Sequence, residues 1–129
     1  MNGNYLLDTN IVIALFSGEE NVIKEINNAK QIFLPFIVIG ELFYGALNST
    51  NIESNINNLN EFCRNLEVVT CDFDTCLLYG KIKKQLKDNG TPIPENDIWI
   101  ASIASQHKLP LVTRDIHFKY ITNIDLFKW

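Results

Sequence analysis

The sequence predicts an α/β fold: a mostly parallel sheet of four to five strands between two layers of helix, a three-layer α/β/α arrangement. Three observations carry that prediction. Short apolar runs ending in turn residues alternate with stretches of helical period along the chain. One late helical stretch, residues 94–106, is apolar nearly all round, as a helix sandwiched inside the fold must be. Finally, 129 residues with 47% hydrophobic and 20% charged content suit one globular domain, residues 1–129, able to bury a core without cross-links.

The elements follow in order. Tyr5-Leu6-Leu7 reads as a strand that ends at Asp8-Thr9-Asn10, and Ile11 to Phe16 as a buried helix stopped by Gly18. Ser17-Gly18-Glu19-Glu20 fits a capping box for a second helix, amphipathic through Val22, Ile23 and Ile26 and ending near Ala29. Lys30 to Pro35 is the second strand. Phe36 to Leu47 is helical, with Phe36, Ile39, Leu42, Phe43, Ala46 and Leu47 on one stripe and Glu41 off its centre. Thr50 to Glu53 offers another capping box, opening a helix to about Asn65 that turns Ile52, Ile56, Leu59, Phe62 and Cys63 to one side. Glu67 to Thr70 is the third strand, and Asp72 to Lys87 a helix with Leu77, Leu78, Ile82 and Leu86 inward and Lys81, Lys83, Lys84 and Lys87 outward. Pro94 suits the first position of the apolar helix. Leu109 to Thr113 is the fourth strand, and Ile124 to Phe127 the last edge strand after a short connection.

The charge balance narrows the function. A net charge of −4 and a pI near 5.1 argue against a protein that grips nucleic acid by bulk electrostatics, so a phosphate-bearing ligand would need a bound cation or a local basic patch. Cys63, Cys71 and Cys76 are odd in number and contain no Cys-x-x-Cys pair, so neither a disulfide framework nor a zinc site is indicated. No run of 18 apolar residues and no basic-then-apolar leader is present, and the expectation is a soluble, cytoplasmic protein.

In parallel α/β sheets function collects where the strands' C-terminal ends meet the following helices. Four acids occupy such places: Asp8 ending the first strand, Glu41 in the helix after the second, Asp97 opening the apolar helix, and Asp115 just past the fourth strand. Singly, each has a structural explanation. Asp8 or Thr9 serves as an N-cap, Glu41 as a solvated helix residue, Asp97 as a partner of the helix dipole and Asp115 as a turn residue. Jointly, converging carboxylates repel one another and require a cation. All-oxygen ligands favour Mg2+ or Mn2+, ions that support phosphodiester hydrolysis.

Four segments in this order carry a resemblance: Leu7-Asp8-Thr9-Asn10, Gly40-Glu41-Leu42-Phe43-Tyr44-Gly45, Ile93 to Ala101 around Asp97, and Leu111-Val112-Thr113-Arg114-Asp115. Over essentially the whole chain they resemble the motifs of PIN-domain nucleases, above all VapC-like toxins of toxin–antitoxin pairs. The resemblance implies a PIN-like fold and an Mg2+- or Mn2+-dependent endoribonuclease that leaves 5′-phosphate and 3′-hydroxyl ends. It also implies a homodimer, and a VapB-like antitoxin whose segment occupies the active-site groove. It assigns the acidic quartet to Asp8, Glu41, Asp97 and Asp115, with Asp8 and Asp97 on the principal ion, Glu41 and Asp115 assisting, and Thr113 orienting water or a ligand. Asn10 is then a supporting partner of Asp8. Lys81, Lys84 and Arg114 become candidate RNA contacts, although a lysine face on a helix is ordinarily just solvated.

Other residues are expected to be structural. His107 and His117 match no triad or metal spacing, so surface or packing roles are expected. Phe43, Tyr44 and Trp99 fit core or dimer contacts better than base stacking. Two other functions remain in competition. A magnesium-dependent phosphatase or phospho-receiver also places Asp at a strand end, but Asp8-Thr9-Asn10 lacks the second acid of an Asp-x-Asp motif and no Lys-Pro follows a late strand. An inactive PIN-like binding module is disfavoured by retention of all four acids.

Overall fold

A computed structural model describes residues 3–129. Its elements in chain order are β1 (Asn4–Leu7), α1 (Thr9–Phe16), α2 (Glu20–Asn28), β2 (Gln31–Pro35), α3 (Phe36–Leu47) and α4 (Ile52–Arg64). They continue with β3 (Glu67–Val69), α5 (Phe73–Asp88), α6 (Glu95–His107), β4 (Leu111–Val112), a 3-10 turn over Ile116–Tyr120, and β5 (Leu126–Phe127). The five strands form one sheet in the order β3-β2-β1-β4-β5, and every pairing is parallel. Tyr5 faces Ile32 across β1 and β2, while Leu7 faces Val112 across β1 and β4.

The central strands are covered on both faces, which is why they read as continuous apolar runs. Leu6, Leu7, Leu34, Leu111 and Val112 have no exposed surface. Parallel crossovers are right-handed in nearly all proteins. The chain runs outward from β1 to β3, then reverses to β4, so the helices after β3 pack on the opposite face from those after β1 and β2. The 3-10 turn lies on the α5 side, where Gln85 donates to the carbonyl of Tyr120 at 2.9 Å. α6 buries Ile98, Ile100, Ala101, Ser102, Ile103 and Ala104, in line with its all-round apolar sequence.

Several local expectations are corrected. Neither anticipated capping box forms, since α2 starts after Glu19 and α4 after Asn51, both without a side-chain cap. Ser17 is still finishing α1, its N–H bonded back to Ile13 and Leu15 carbonyls, and Gly18 makes the left-handed turn at φ +80°. The capping box is instead at α5, where Asp72 and Thr75 exchange side-chain and backbone hydrogen bonds. Pro94 is the N-cap of α6 rather than its first residue. On α3 the buried line is Val38, Leu42 and Ala46, leaving Phe36 and Leu47 exposed. On α5 the buried residues are Thr75, Ile82 and Leu86, and Leu77 faces out.

Candidate metal centre

The strand order reverses between β1 and β4, and a crevice opens beyond their C-terminal ends. β1 delivers Asp8 there and β4 delivers Thr113, although the two are 105 residues apart in sequence. Asp8 is the N-cap of α1, its Oδ1 accepting from the Thr9 N–H at 2.8 Å. Its Oδ2 accepts from the Thr113 hydroxyl at 2.7 Å and from Asn10 Nδ2 at 3.3 Å. The capping role and the site role are thus held by different oxygens of one carboxylate. Asn10 completes the lattice, its Oδ1 accepting the backbone N–H of Arg114 at 3.1 Å. Thr113 Oγ1 also accepts the backbone N–H of Asp115 at 3.0 Å, which fixes where the next acid begins.

Glu41 reaches the crevice from α3 and accepts from the Thr9 hydroxyl at 2.9 Å. Asp97, in the first turn of α6, is 14% exposed and lies 3.7 Å from Nδ1 of His117. Asp115 caps the 3-10 turn, its Oδ1 accepting the His117 backbone N–H at 2.9 Å. The same turn brings Nδ1 of the half-exposed His117 ring against the two acids, so that ligand atoms of Asp97, Asp115 and His117 lie within 4.8 Å of one another.

The electrostatics agree with the geometry. Burial, then the charges of Asp8, Asp115 and Glu41, push the Asp97 carboxyl up to about 6, and His117 opposes the rise. Burial likewise raises Asp8, against the hydrogen bonds from Thr113 and Thr9 and with the charges of Glu41 and Asp115. These groups therefore act on one another at short range, a strain that a divalent cation relieves. The donor set fits such an ion: carboxylate oxygens for a hard cation, with one imidazole nitrogen at the edge.

Of the residues singled out from sequence, Asp8, Asn10, Glu41, Asp97, Thr113 and Asp115 come together. Arg114 and the lysines do not. Arg114 forms a fork with Glu19, at 2.8 and 3.1 Å, and donates from Nε to the Trp129 carbonyl. Lys84 pairs with Asp88, Lys81 lies exposed on α5, and among the described residues neither forms an ion pair with the four acids. Lys83 is the lysine that α5 brings to the first turn of α6, pairing with Glu95 beside the Tyr79–Trp99 stack. His107 is exposed. The His117 side chain is 45% exposed, in keeping with a surface position, but its shielded Nδ1 faces Asp97 and Asp115, which sequence reasoning did not anticipate. Its signal was its place two residues after Asp115, where a short 3-10 turn capped by that acid returns the ring toward it.

Comparison with known proteins agrees with this arrangement. A family model described as PIN domain matches residues 5–123. The chain is 33% identical over 130 residues, 97% of each chain, to Ribonuclease VapC1 of Haemophilus influenzae. It is 31% identical over 128 residues, again 97% of each, to the tRNA(fMet)-specific endonuclease VapC of Salmonella typhimurium. The solved structure of VapBC2 from Rickettsia felis, bound to a DNA fragment from their promoter, matches with a TM-score of 0.90 at 32% identity and 98% coverage of both chains. With the fold, the acidic crevice and these likenesses in agreement, the chain belongs to the PIN domain family and is VapC-like.

Proposed function

We infer that this protein is a metal-dependent endoribonuclease, the toxin of a VapBC-type pair. The observation that carries the reading is the geometry of the crevice, where Thr9 and Thr113 tie Glu41 and Asp8 to one place and ligand atoms of Asp97, Asp115 and His117 lie within 4.8 Å of one another. Similarity to proteins named as VapC ribonucleases supports RNA as the substrate. The matched structure is that of a VapBC complex, which supports a VapB-like antitoxin as partner.

Asp8 and Asp97 would hold the principal ion, Mg2+ or Mn2+, with Glu41 and Asp115 assisting directly or through water. The ion supplies positive charge against the phosphate and lowers the pKa of water, as divalent ions do in phosphodiester hydrolysis. Thr113 and Asn10 keep Asp8 oriented, so that little reorganisation is needed when substrate arrives. Water forms the new bond to phosphorus, the bond to the 3′ oxygen breaks, and that oxygen takes a proton. The products carry 5′-phosphate and 3′-hydroxyl ends.

A groove of about 380 Å3, lined by Thr9, Ile13, Phe16, Glu41, Leu42 and Ala46 among others, runs off the site. Ile13 and Phe16 are 53% and 45% exposed, and an apolar antitoxin segment covering them would end beside Glu41. A homodimer would cover Phe73 and Leu77, which stand out from α5 one turn apart. No described helix is long and apolar enough to cross a membrane. We place the activity in the cytoplasm, where RNA is found.

The test is RNA cleavage by the purified protein in Mg2+ or Mn2+. Cleavage should stop in EDTA, fall at least about a hundredfold in Asp8→Asn, and yield 5′-phosphate ends. Undiminished cleavage in EDTA would remove the metal from the mechanism.

A further inference from the structure

His117 has an odd environment. Its Nδ1 is shielded from solvent and has no hydrogen-bond partner, although it lies 2.9 Å from Asp115 Oδ1 and 3.7 Å from Asp97 Oδ2. The nearer oxygen already accepts the backbone N–H of the same residue at 2.9 Å. The ring nitrogen thus lies at ion-pair distance from an oxygen that also accepts a backbone N–H, without a hydrogen bond to it. A shielded nitrogen without a partner is costly, and two carboxylates beside it attract a positive charge. A cation shared by the three groups would satisfy the nitrogen and both acids, whose ligand atoms lie within 4.8 Å of one another.

We propose that His117 is a direct ligand of the ion, through Nδ1, and that this nitrogen biases the site toward Mn2+ over Mg2+. The inference rests on the metal-dependent reading above. Mg2+ is hard, demands oxygen donors and keeps its waters, whereas imidazole is better tolerated by the softer first-row ions. Four acids alone would make a site of oxygen donors only. One histidine, brought in by the turn that Asp115 caps, makes it mixed. His107, exposed and outside the cluster, is the internal control.

The experiment is pulsed electron paramagnetic resonance on Mn2+ added to the purified full chain, with calorimetric titration of Mn2+ and Mg2+. The wild type should show the coupling of a directly bound imidazole nitrogen, and that coupling should change on 15N-histidine labelling. It should persist in His107→Gln and vanish in His117→Gln. His117→Gln should also bind Mn2+ roughly tenfold more weakly while its Mg2+ affinity changes by no more than about threefold. The labelling arm needs no substitution, so a variant that fails to fold leaves the test intact. Mn2+ bound by the wild type with no imidazole coupling would overturn the proposal, and RNA cleavage that still requires metal would leave the nuclease reading standing. No Mn2+ binding at all would overturn the proposal, whereas the nuclease reading fails separately, by the absence of metal-dependent cleavage.

Discussion

Asp97 concentrates the chemistry of the site. Its carboxyl is pushed up from 3.8 to about 6 by burial and by three neighbouring acids, so the folded chain binds that proton more tightly than the unfolded one. In metal-free protein, the contribution of Asp97 is most favourable below its unfolded value and declines as the pH rises from 3.8 to about 6. The loss is on the order of 2 kcal/mol. Asn at this position carries no charge at any pH. Asp97→Asn without metal should therefore melt above the wild type by about 5 °C at pH 7.5, and by much less at pH 4, in parallel thermal scans. A gap independent of pH would contradict the assigned repulsion. Mg2+ should raise the wild-type melting temperature at pH 7.5, by binding the folded state, and leave Asp97→Asn unmoved. Thr113 gives a second residue-level prediction. Its hydroxyl serves Asp8 and the Asp115 N–H at once, and the residue is 6% exposed. Thr113→Val should destabilise by about 1–3 kcal/mol in urea titration, because it strands two polar groups, and Thr113→Ser should recover most of that.

At the scale of elements, the sequence was legible where a pattern had one solution. The strand, turn, helix succession around Asp8 and the apolar helix after Pro94 are such cases. It was less legible where neighbouring elements compete for the same residues. Ser17 had the right composition to cap α2, but it is the C-cap of α1, and only Ser17, Gly18 and Glu19 separate the two helices. α3 is apolar on several sides, so period alone does not choose between the Phe36 line and the Val38-Leu42-Ala46 line that the turn from β2 sends inward. Leu77 lies five residues before Ile82, about 140° round the helix, and so is carried away from the core. That exposure has a consequence: with Phe73 at 85% and Leu77 at 60% exposed, α5 presents an apolar edge that a second copy would cover. Leu77→Asp is expected to shift the protein from dimer to monomer in sedimentation velocity with its fold intact. A wild type that sediments as a monomer would dismiss this surface as the dimer contact.

For the whole molecule, what sequence could not supply was convergence. The four acids were readable as residues at strand ends and helix starts, but nothing local says that β4 lies beside β1. The order β3-β2-β1-β4-β5 decides it, because the reversal after β3 carries the chain back across the sheet and puts Thr113 against Asp8. His117 escaped for the same reason, since its relation to Asp97 depends on how α6 and the 3-10 turn meet at that edge. On the metal-dependent reading, the negative chain and a phosphate-bearing substrate are reconciled at this one place, where a bound divalent ion would reverse the local sign. The most direct test is single-turnover cleavage of RNA at saturating Mg2+ by wild type and Asp97→Asn, with thermal melting to verify that both are folded. A rate at least about a hundredfold lower is expected in the variant, together with its raised metal-free melting temperature. Cleavage within a few-fold of wild type by a folded Asp97→Asn would contradict the metal-binding role of Asp97.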